Sequence, residues 1–435
     1  MDICSPRKRN GSRMELDLSM LAPRGSMWLR LCVAFFLFCQ TQAVSIIDRE
    51  VYGEWTGKQG DKLTQTIFLS QFVLSAVFFY AGRRRWRLLR EGALVWLFLA
   101  AFLICSAMWS VSAGATVRAG VQYASLIVAA IGVAETLEAD EFMNILAQVC
   151  FFSALASLVL LVSWPATVYS GSGDFRGVYS QKNSLGEAMA LGALACLHGI
   201  WAERRRRILR IFMLLTIVVA TVLSKSTTSL LAVLLFIGFG TAIKKAGMKA
   251  LLIVTPVALV GFFGQDFLIE MLGKDPTLTG RTDIWTHVIP DIWQSPLLGW
   301  GYAAFWTREN PAANNISIAL GWWVPEAHNG VLEILLSAGL VGAALYLYIL
   351  IRTFRLSIIL LRTRKFAWGL TCFVNCAGVV LIGVSEEVLI YGSAVTVVFI
   401  VTALFCERYV RELRSPVRYS PASAALHLHT QVQTF

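Results

Sequence analysis

A chain of 435 residues that is 57% hydrophobic and only 15% charged, with a mean hydropathy of +0.64, is not a water-soluble globule. Its net charge of +11 would suit a nucleic-acid partner if the cations formed one face, but they stand in short clusters between apolar runs, which excludes that class. What remains is an all-α polytopic membrane protein, because lipid offers no partner to a free backbone N–H or C=O and the spans must be helices.

Residues 1–26 form a basic cytoplasmic N-terminus. About twelve apolar runs follow, each near the ~17–25 residues that a ~30 Å hydrocarbon layer requires. Nine lie within 27–269, at 27–47, 64–82, 92–110, 118–134, 144–166, 184–202, 208–224, 228–243 and 249–269. Three lie within 330–406, at 330–351, 366–384 and 391–406, and 407–435 is a cytoplasmic tail. The first run also has the small residues near Ala43 that a cleavable signal would show, but the long basic leader favours a retained anchor. The clusters at Arg83 to Arg90, Arg204 to Arg207, Lys244–Lys245, Arg362 to Lys365 and Arg408 to Arg418 all fall on the side of the N-terminus. Twelve spans put 28 of the 38 Lys and Arg on that side and 10 on the other. This is the positive-inside pattern, and it places both termini in the cytoplasm.

The connections on the basic side are short, and no GxxxxGK(S/T) phosphate loop occurs, so ATP-driven transport by this chain is not expected. None of the nine cysteines falls in an exported loop. Cys372 and Cys376 share a helix face without a histidine beside them, which reads as packing rather than a metal site. Two exported segments are longer than a connector needs, 167–183 and 270–329. The second, a large and partly helical periplasmic loop, holds six of the fourteen tryptophans: Trp285, Trp293, Trp300, Trp306, Trp322 and Trp323. Indoles suit both a bilayer interface and the face of a sugar.

Three polar constellations face that same side. In FRGVYSQKNSLGEA, Arg176 and Lys182 approach the N-terminus of the sixth span, where two cations and free N–H groups would receive a phosphate or anchor to a lipid headgroup. In GRTDIWTHVIPDIWQSPLLGWGYAAFW, Trp285, Ile289 and Ile292 recur at helical spacing, and Gly299 and Gly301 allow a sharp turn. Arg281 at its head either pairs with Asp283 or Asp275 or offers its fork to a diphosphate. In EAHNGVLEILLSAGLVG, His328 and Asn329 stand at the mouth of the tenth span, and Glu333 lies one turn deeper, where an ionisable group requires a task or a partner. Gly339 and Gly342 permit close approach of a neighbouring backbone.

His328 and Asn329, nine residues, Gly339, two residues and Gly342 match the histidine motif of the bacterial O-antigen ligase and polymerase superfamily. The GRTDIW, SPLLGWGYAAFW and FRGVYSQKNSLG stretches and the layout of spans also resemble that family, most of all its exopolysaccharide-polymerase, ExoQ-like branch. The resemblance implies a GT-C-like glycosyltransferase of the bacterial inner membrane, acting at the periplasmic face without a metal or other cofactor. Its donor would be a glycan on a polyprenyl (undecaprenyl) diphosphate and its acceptor a hydroxyl of another glycan or of lipid A-core. Membrane lipid and other polysaccharide assembly or export proteins would be its further partners. It carries Arg176, Arg281 and His328 over as catalytic positions; Lys182, Asn329, Glu333 and Trp306 are added here as substrate-binding candidates. Polymerisation of repeat units by inversion is the expected reaction, because no carboxylate pair for a retaining route is evident. Ligation to lipid A-core is the alternative within the class. A flippase of lipid-linked glycans is the alternative outside it, although no repeated halves are visible.

Overall fold

The computed structural model describes residues 27–43, 45, 62–82, 90–203, 205–250, 281–388 and 390–414. Helices stand at eleven of the twelve expected positions, and the ninth, 249–269, lies outside the described residues but for its first two. They are α1 (Met27–Gln40), α2 (Lys62–Gly82), α3 (Arg90–Cys105), α4 (Ala113–Thr136), α5 (Ala139–Ser163), α6 (Lys182–Ala202), α7 (Arg207–Ser224), α8 (Thr227–Ala246), α11 (Gly330–Leu360), α12 (Phe366–Gly383) and α13 (Ala394–Arg414). Two further helices, α9 (Arg281–Gln294) and α10 (Pro311–Leu320), come from the long loop before α11. Among the described residues seven helices are long and apolar enough to cross a membrane, namely α4 to α8, α11 and α12, which makes this a multi-pass membrane protein. Several helices outrun the apolar runs that announce them: α11 reaches Leu360 and α13 reaches Arg414.

Tight packing follows from small residues facing backbone. A Cβ added at Gly132 of α4 would stand 2.5 Å from the carbonyl carbon of Phe78 in α2, so only glycine lets these two helices meet. Buried side-chain hydrogen bonds link other neighbours, such as Gln40 to Gln71 (2.9 Å) and Asn375 to Thr402 (3.0 Å). Cys372 and Cys376 are buried in α12, as packing residues should be, and no disulfide occurs among the described residues.

A polar belt closes one end of the bundle. There His198 of α6 contacts Asp140 and Thr371 at 2.8 Å each, and Arg408 of α13 is paired with Glu138 and Glu412. At the opposite end the N-termini of α6 and α11 meet the turn between α12 and α13. Asn183 donates to Glu386 (2.8 Å), and Asn329 donates to the Val384 carbonyl (3.1 Å).

The loop helices carry a small core of their own. Ile284, Val288 and Ile292 form the buried stripe of α9 and pack with Phe305, Ala313, Ile316, Val324 and Leu336. This corrects the sequence reading, which put Ile289 on that stripe; Ile289 is 46% exposed. The i, i+4, i+8 spacing starting from Ile284 was the better register, with Trp285 at its edge.

The helix α11 is interrupted at Gly339, whose backbone (φ 60°, ψ −163°) only glycine adopts without strain. The 296–300 turn fills the break. Leu340 and Val341 donate to the carbonyls of Pro296 (2.8 Å) and Leu297 (3.1 Å), and Trp300 donates to the Leu336 carbonyl (2.7 Å). Irregular backbone at such a depth is tolerated because protein, not lipid, takes up the freed groups. Gly299 (φ 68°) makes the reciprocal approach, since a Cβ there would stand 2.6 Å from the Ala338 nitrogen and the Leu336 oxygen. Gly339 admits a neighbouring backbone as expected, and that backbone is a loop rather than a helix; Gly342 faces the side chains of Ala338 and Phe102 instead.

Candidate functional site

His328 immediately precedes the Asn329 cap of α11. Asn329 accepts from Val331 N (3.0 Å) and Leu332 N (3.1 Å), which satisfies the helix start. Forcing the chain into that cap turns His328 to φ 48°, the left-handed region, in which histidine is uncommon and which costs on the order of 1 kcal/mol or more. The half-buried imidazole then points Nδ1 at Glu326, 2.6 Å from Oε1.

Glu333 explains how that strained turn is held. It is fully buried, as its depth in α11 foretold, and it has partners. Its two carboxylate oxygens accept from Trp306 Nε1 (3.1 and 3.0 Å), from the Tyr391 hydroxyl (2.7 Å) and from Ala327 N (3.1 Å). The last of these fixes the backbone one residue before His328. Trp306, expected to meet substrate, has its N–H committed to Glu333.

Arg281, at the head of α9, makes no ion pair with Asp283 among the described residues, and Asp275 lies outside them. Its guanidinium donates to Glu386 at 3.1 Å, across 105 residues of chain, and Glu386 also accepts from Asn183. Glu387 approaches Glu326, and Glu187 of α6 faces both Glu326 and Glu386. The result is one histidine and one arginine among several carboxyl groups at the meeting point of four helix ends.

Such a group cannot ionise fully. Burial lifts Glu387 well above the usual carboxylate range, and its hydrogen bond to Glu326 and the neighbouring charges lift it further. Burial would raise Glu326 too, but the bonds from Glu387 and His328, with the Arg281 charge nearby, outweigh it and hold Glu326 at about 2. Glu386 is raised on balance, burial exceeding the pull of Arg281. Glu326 therefore carries the negative charge of the pair it forms with Glu387, and it does so against His328.

The sequence reading found no carboxylate pair. The structure supplies one, since Glu326, His328 and Glu386 each bring a ligand atom within 4.8 Å of the others. One imidazole nitrogen and two carboxylate oxygens are a donor set that a divalent cation accepts, though the guanidinium on Glu386 opposes a second cation there.

Arg176 and Lys182 stand on the segment leading into α6. Arg176 N and Gly177 N both donate to the Val168 carbonyl, and Lys182 Nζ lies 3.1 Å from Asp174. Lys182 thus turns to its own loop, while Asn183 beside it reaches the carboxylates.

Residues 182–347 match the O-antigen ligase family model. The match covers less than half of the chain, and over it the chain is similar to O-antigen ligase. Within the matched residues lie Asn183, Arg281, His328 and Glu333; Glu386 and Glu387 complete the same cluster from beyond them. The chain is also 30% identical over 295 residues to the exopolysaccharide production protein ExoQ of Rhizobium meliloti (strain 1021). That similarity covers 60% of this chain and 64% of the relative, a little under two thirds of its length. The two likenesses are thus to an O-antigen ligase model and to a protein named for exopolysaccharide production.

What reading the sequence missed is the pair Glu386–Glu387, with Tyr391 and Asn183. A signal was present: two adjacent carboxylates in the six-residue turn between the apolar runs 366–384 and 391–406, on the side where His328 emerges.

Of the six loop tryptophans, Trp285, Trp300 and Trp306 turn inward and donate to the Ala327 carbonyl (2.9 Å), the Asp291 carbonyl (3.0 Å) and Glu333. Trp293, Trp322 and Trp323 are exposed, with Arg308 over the Trp323 ring at 5.7 Å.

Proposed function

We propose that this protein is an inner-membrane glycosyltransferase that moves a glycan from a polyprenyl diphosphate donor to an acceptor hydroxyl at the periplasmic face, polymerising exopolysaccharide or O-antigen repeat units. The observation that carries the reading is the Glu326–His328 pair beside the Arg281–Glu386 pair, built from three separate parts of the chain at one end of the bundle.

The diphosphate is a good leaving group, so the reaction asks for charge stabilisation on one side and removal of a proton on the other. Arg281 supplies the first, as a preorganised cation aimed by Glu386. Arg176, on the segment that enters α6, is assigned as a second cation for the donor on its sequence motif alone.

His328 supplies the second. An imidazole has its ordinary pKa at about 6.5 and exchanges protons at neutral pH. With Nδ1 against Glu326, the carboxylate fixes the ring and stabilises the imidazolium that forms, which leaves Nε2 to take the acceptor proton. Such general-base help is typically worth ~10²–10⁴-fold.

Glu386 and Glu387, lifted toward their neutral forms, keep the group from repelling a diphosphate and offer hydrogen bonds to sugar hydroxyls. Glu386 is engaged by Arg281 and Asn183, and Glu326 by His328 and Glu387, so neither is free to attack the anomeric carbon. Direct, inverting displacement by the acceptor follows, with no metal required.

The test is transfer by purified protein in chelator, from a polyprenyl-diphosphate glycan, comparing wild type with His328→Ala. Release of polyprenyl diphosphate with a lengthened glycan, lost in the variant, supports a metal-independent polymerase; a glycan moved onto lipid A-core supports a ligase. Unimpaired turnover by His328→Ala removes the histidine from the mechanism. Translocation of the donor without release makes the protein a flippase instead.

A further inference from the structure

The ends of α9 and α10 frame a cleft of about 640 Å³, well within the size range of small-ligand sites. It lies outside the His328 group. Its walls carry Thr286, His287, Asp291, Gln294 and Asn315, with Trp300 alongside. The cleft opens at the surface, and amide, carboxylate, imidazole and indole side chains all border it. Sugar hydroxyls are bound by just such planar groups, which give and take hydrogen bonds at fixed angles, and the C–H face of a sugar packs on an aromatic ring.

The lining is organised before any ligand arrives. Gln294 Nε2 donates to Asp291 Oδ1 (2.8 Å), which aims the carboxylate, and Trp300 Nε1 donates to the Asp291 carbonyl (3.0 Å), which fixes the indole. His287 is held through Nδ1 by the Asp283 carbonyl (2.8 Å). Asn310 caps α10 and so sets the opposite wall. Burial raises the Asp291 carboxyl above the usual range, although Gln294 and His287 act in the other direction.

The cleft is also tied to the site. Arg281 and Asp291 are ten residues apart on α9, or about 15 Å along its axis at 1.5 Å per residue. A chain of rings leads from one to the other: Trp300 meets Phe305 edge-on at 5.7 Å, Phe305 meets Trp306 at 4.8 Å, and Trp306 donates to Glu333 under His328.

We infer that this cleft is an oligosaccharide subsite, holding sugar units of the glycan a short way from the bond being made and selecting which repeat unit is accepted. The inference rests on the glycosyltransferase reading above. Its occupant is a stretch of saccharide and not the lipid, because hydrogen-bonding side chains from both helices stand among Pro290, Ile316 and Ala319, a mixed lining that suits the hydroxyls and the C–H faces of a sugar together.

The experiment uses the full chain in detergent and, as probe, oligosaccharides of one to three repeats prepared by mild acid hydrolysis of the producing cell's own polysaccharide. Affinity is measured by calorimetry for wild type, Gln294→Ala/Asn315→Ala and His328→Ala, and product length is measured separately. Both positions substituted in the double variant sit at exposed parts of α9 and α10, so its melting midpoint should match wild type. Binding by wild type that is at least tenfold weaker in the double variant and intact in His328→Ala, with shorter products from the double variant, supports the subsite. Equal affinity in wild type and the double variant, or turnover by a wild type that binds no oligosaccharide, overturns the subsite while leaving the enzyme reading in place. Binding that is lost in the double variant, with no turnover by any form, keeps the saccharide site and overturns the enzyme reading.

Discussion

Replacing Glu333 separates the two jobs that the structure gives this carboxylate. Its Oε1 accepts from Trp306 and Tyr391, and its Oε2 accepts from Trp306 and Ala327 N. In Glu333→Gln one end becomes a donor. An amide nitrogen at the Oε2 position would meet two N–H groups, neither of which can reverse. At the Oε1 position the Tyr391 hydroxyl can turn and accept, and Ala327 stays bonded. The glutamine therefore adopts the second arrangement and loses part of the Trp306 bond and the charge assistance, about 1–3 kcal/mol. Glu333→Ala instead strands three buried donors and opens a cavity, for a loss of roughly 3–5 kcal/mol. It also releases the Ala327 backbone, so the φ 48° turn at His328 is free to relax. A shift of about 1 Å in a reacting group lowers the rate ~10²-fold, so the alanine variant should lose turnover by that order while the glutamine variant loses far less. The assays are melting in detergent and polyprenyl diphosphate release. A folded alanine variant turning over within twofold of wild type would show that Glu333 does not hold His328. A glutamine variant as stable as wild type would show that the carboxyl carries its own proton and gives it to Tyr391.

Gly339→Ala should destabilise by ~3 kcal/mol or more, because its Cβ would lie 2.4 Å from the Leu297 carbonyl in a backbone region that alanine avoids; an unchanged melting midpoint would mean the 296–300 turn does not dock there. Glu326 has its folded pKa held below the ordinary 4.5, so its contribution is present above that value and is lost as pH falls toward about 2. Glu326→Gln should therefore lower the melting midpoint at neutral pH, with the deficit closing in acid. Glu387 is shifted the opposite way, so its contribution is present below 4.5 and is lost as pH rises through its folded value. Glu387→Gln should raise the melting midpoint in mild alkali, and a fall there would mean that the two carboxyls do not share a proton. Product stereochemistry read by NMR should show inversion; retention would implicate Glu386 as a nucleophile. Transfer should persist in chelator, and its loss with recovery on adding a divalent cation would turn Glu326, His328 and Glu386 into ligands.

The spans were legible because hydrocarbon imposes one crude requirement, length of apolar sequence, and α4 to α8, α11 and α12 meet it without reference to the rest of the chain. The need for a partner at Glu333 was legible for the same reason, since depth alone makes an unpartnered carboxylate expensive. Which partner it takes was not. Tyr391 lies 58 residues away and Trp306 lies 27, and nothing local to either marks it as a hydrogen-bond donor to that carboxylate. Arg281 shows the limit most clearly. Sequence proximity pointed to Asp283, or to Asp275 outside the described residues, whereas the fold brings Glu386 across 105 residues to meet it. The misplaced stripe on α9 has another cause: Trp285, Ile289 and Ile292 keep helical spacing as well as Ile284, Val288 and Ile292 do, and only the partner face decides between them. Gly339 sits between these cases. Its spacing from His328 was visible, yet the break it permits is an event of packing, in which a loop backbone takes over hydrogen bonds that a continuous helix would have kept. The histidine and the glycine of one motif thus act on a single object. The glycine lets the 296–300 turn enter α11, that turn carries Trp300, and the rings following it lead to Trp306 on Glu333, which ties down the residue before His328. Spacing within the motif is therefore the length of helix between the histidine's cap and the place where its support docks.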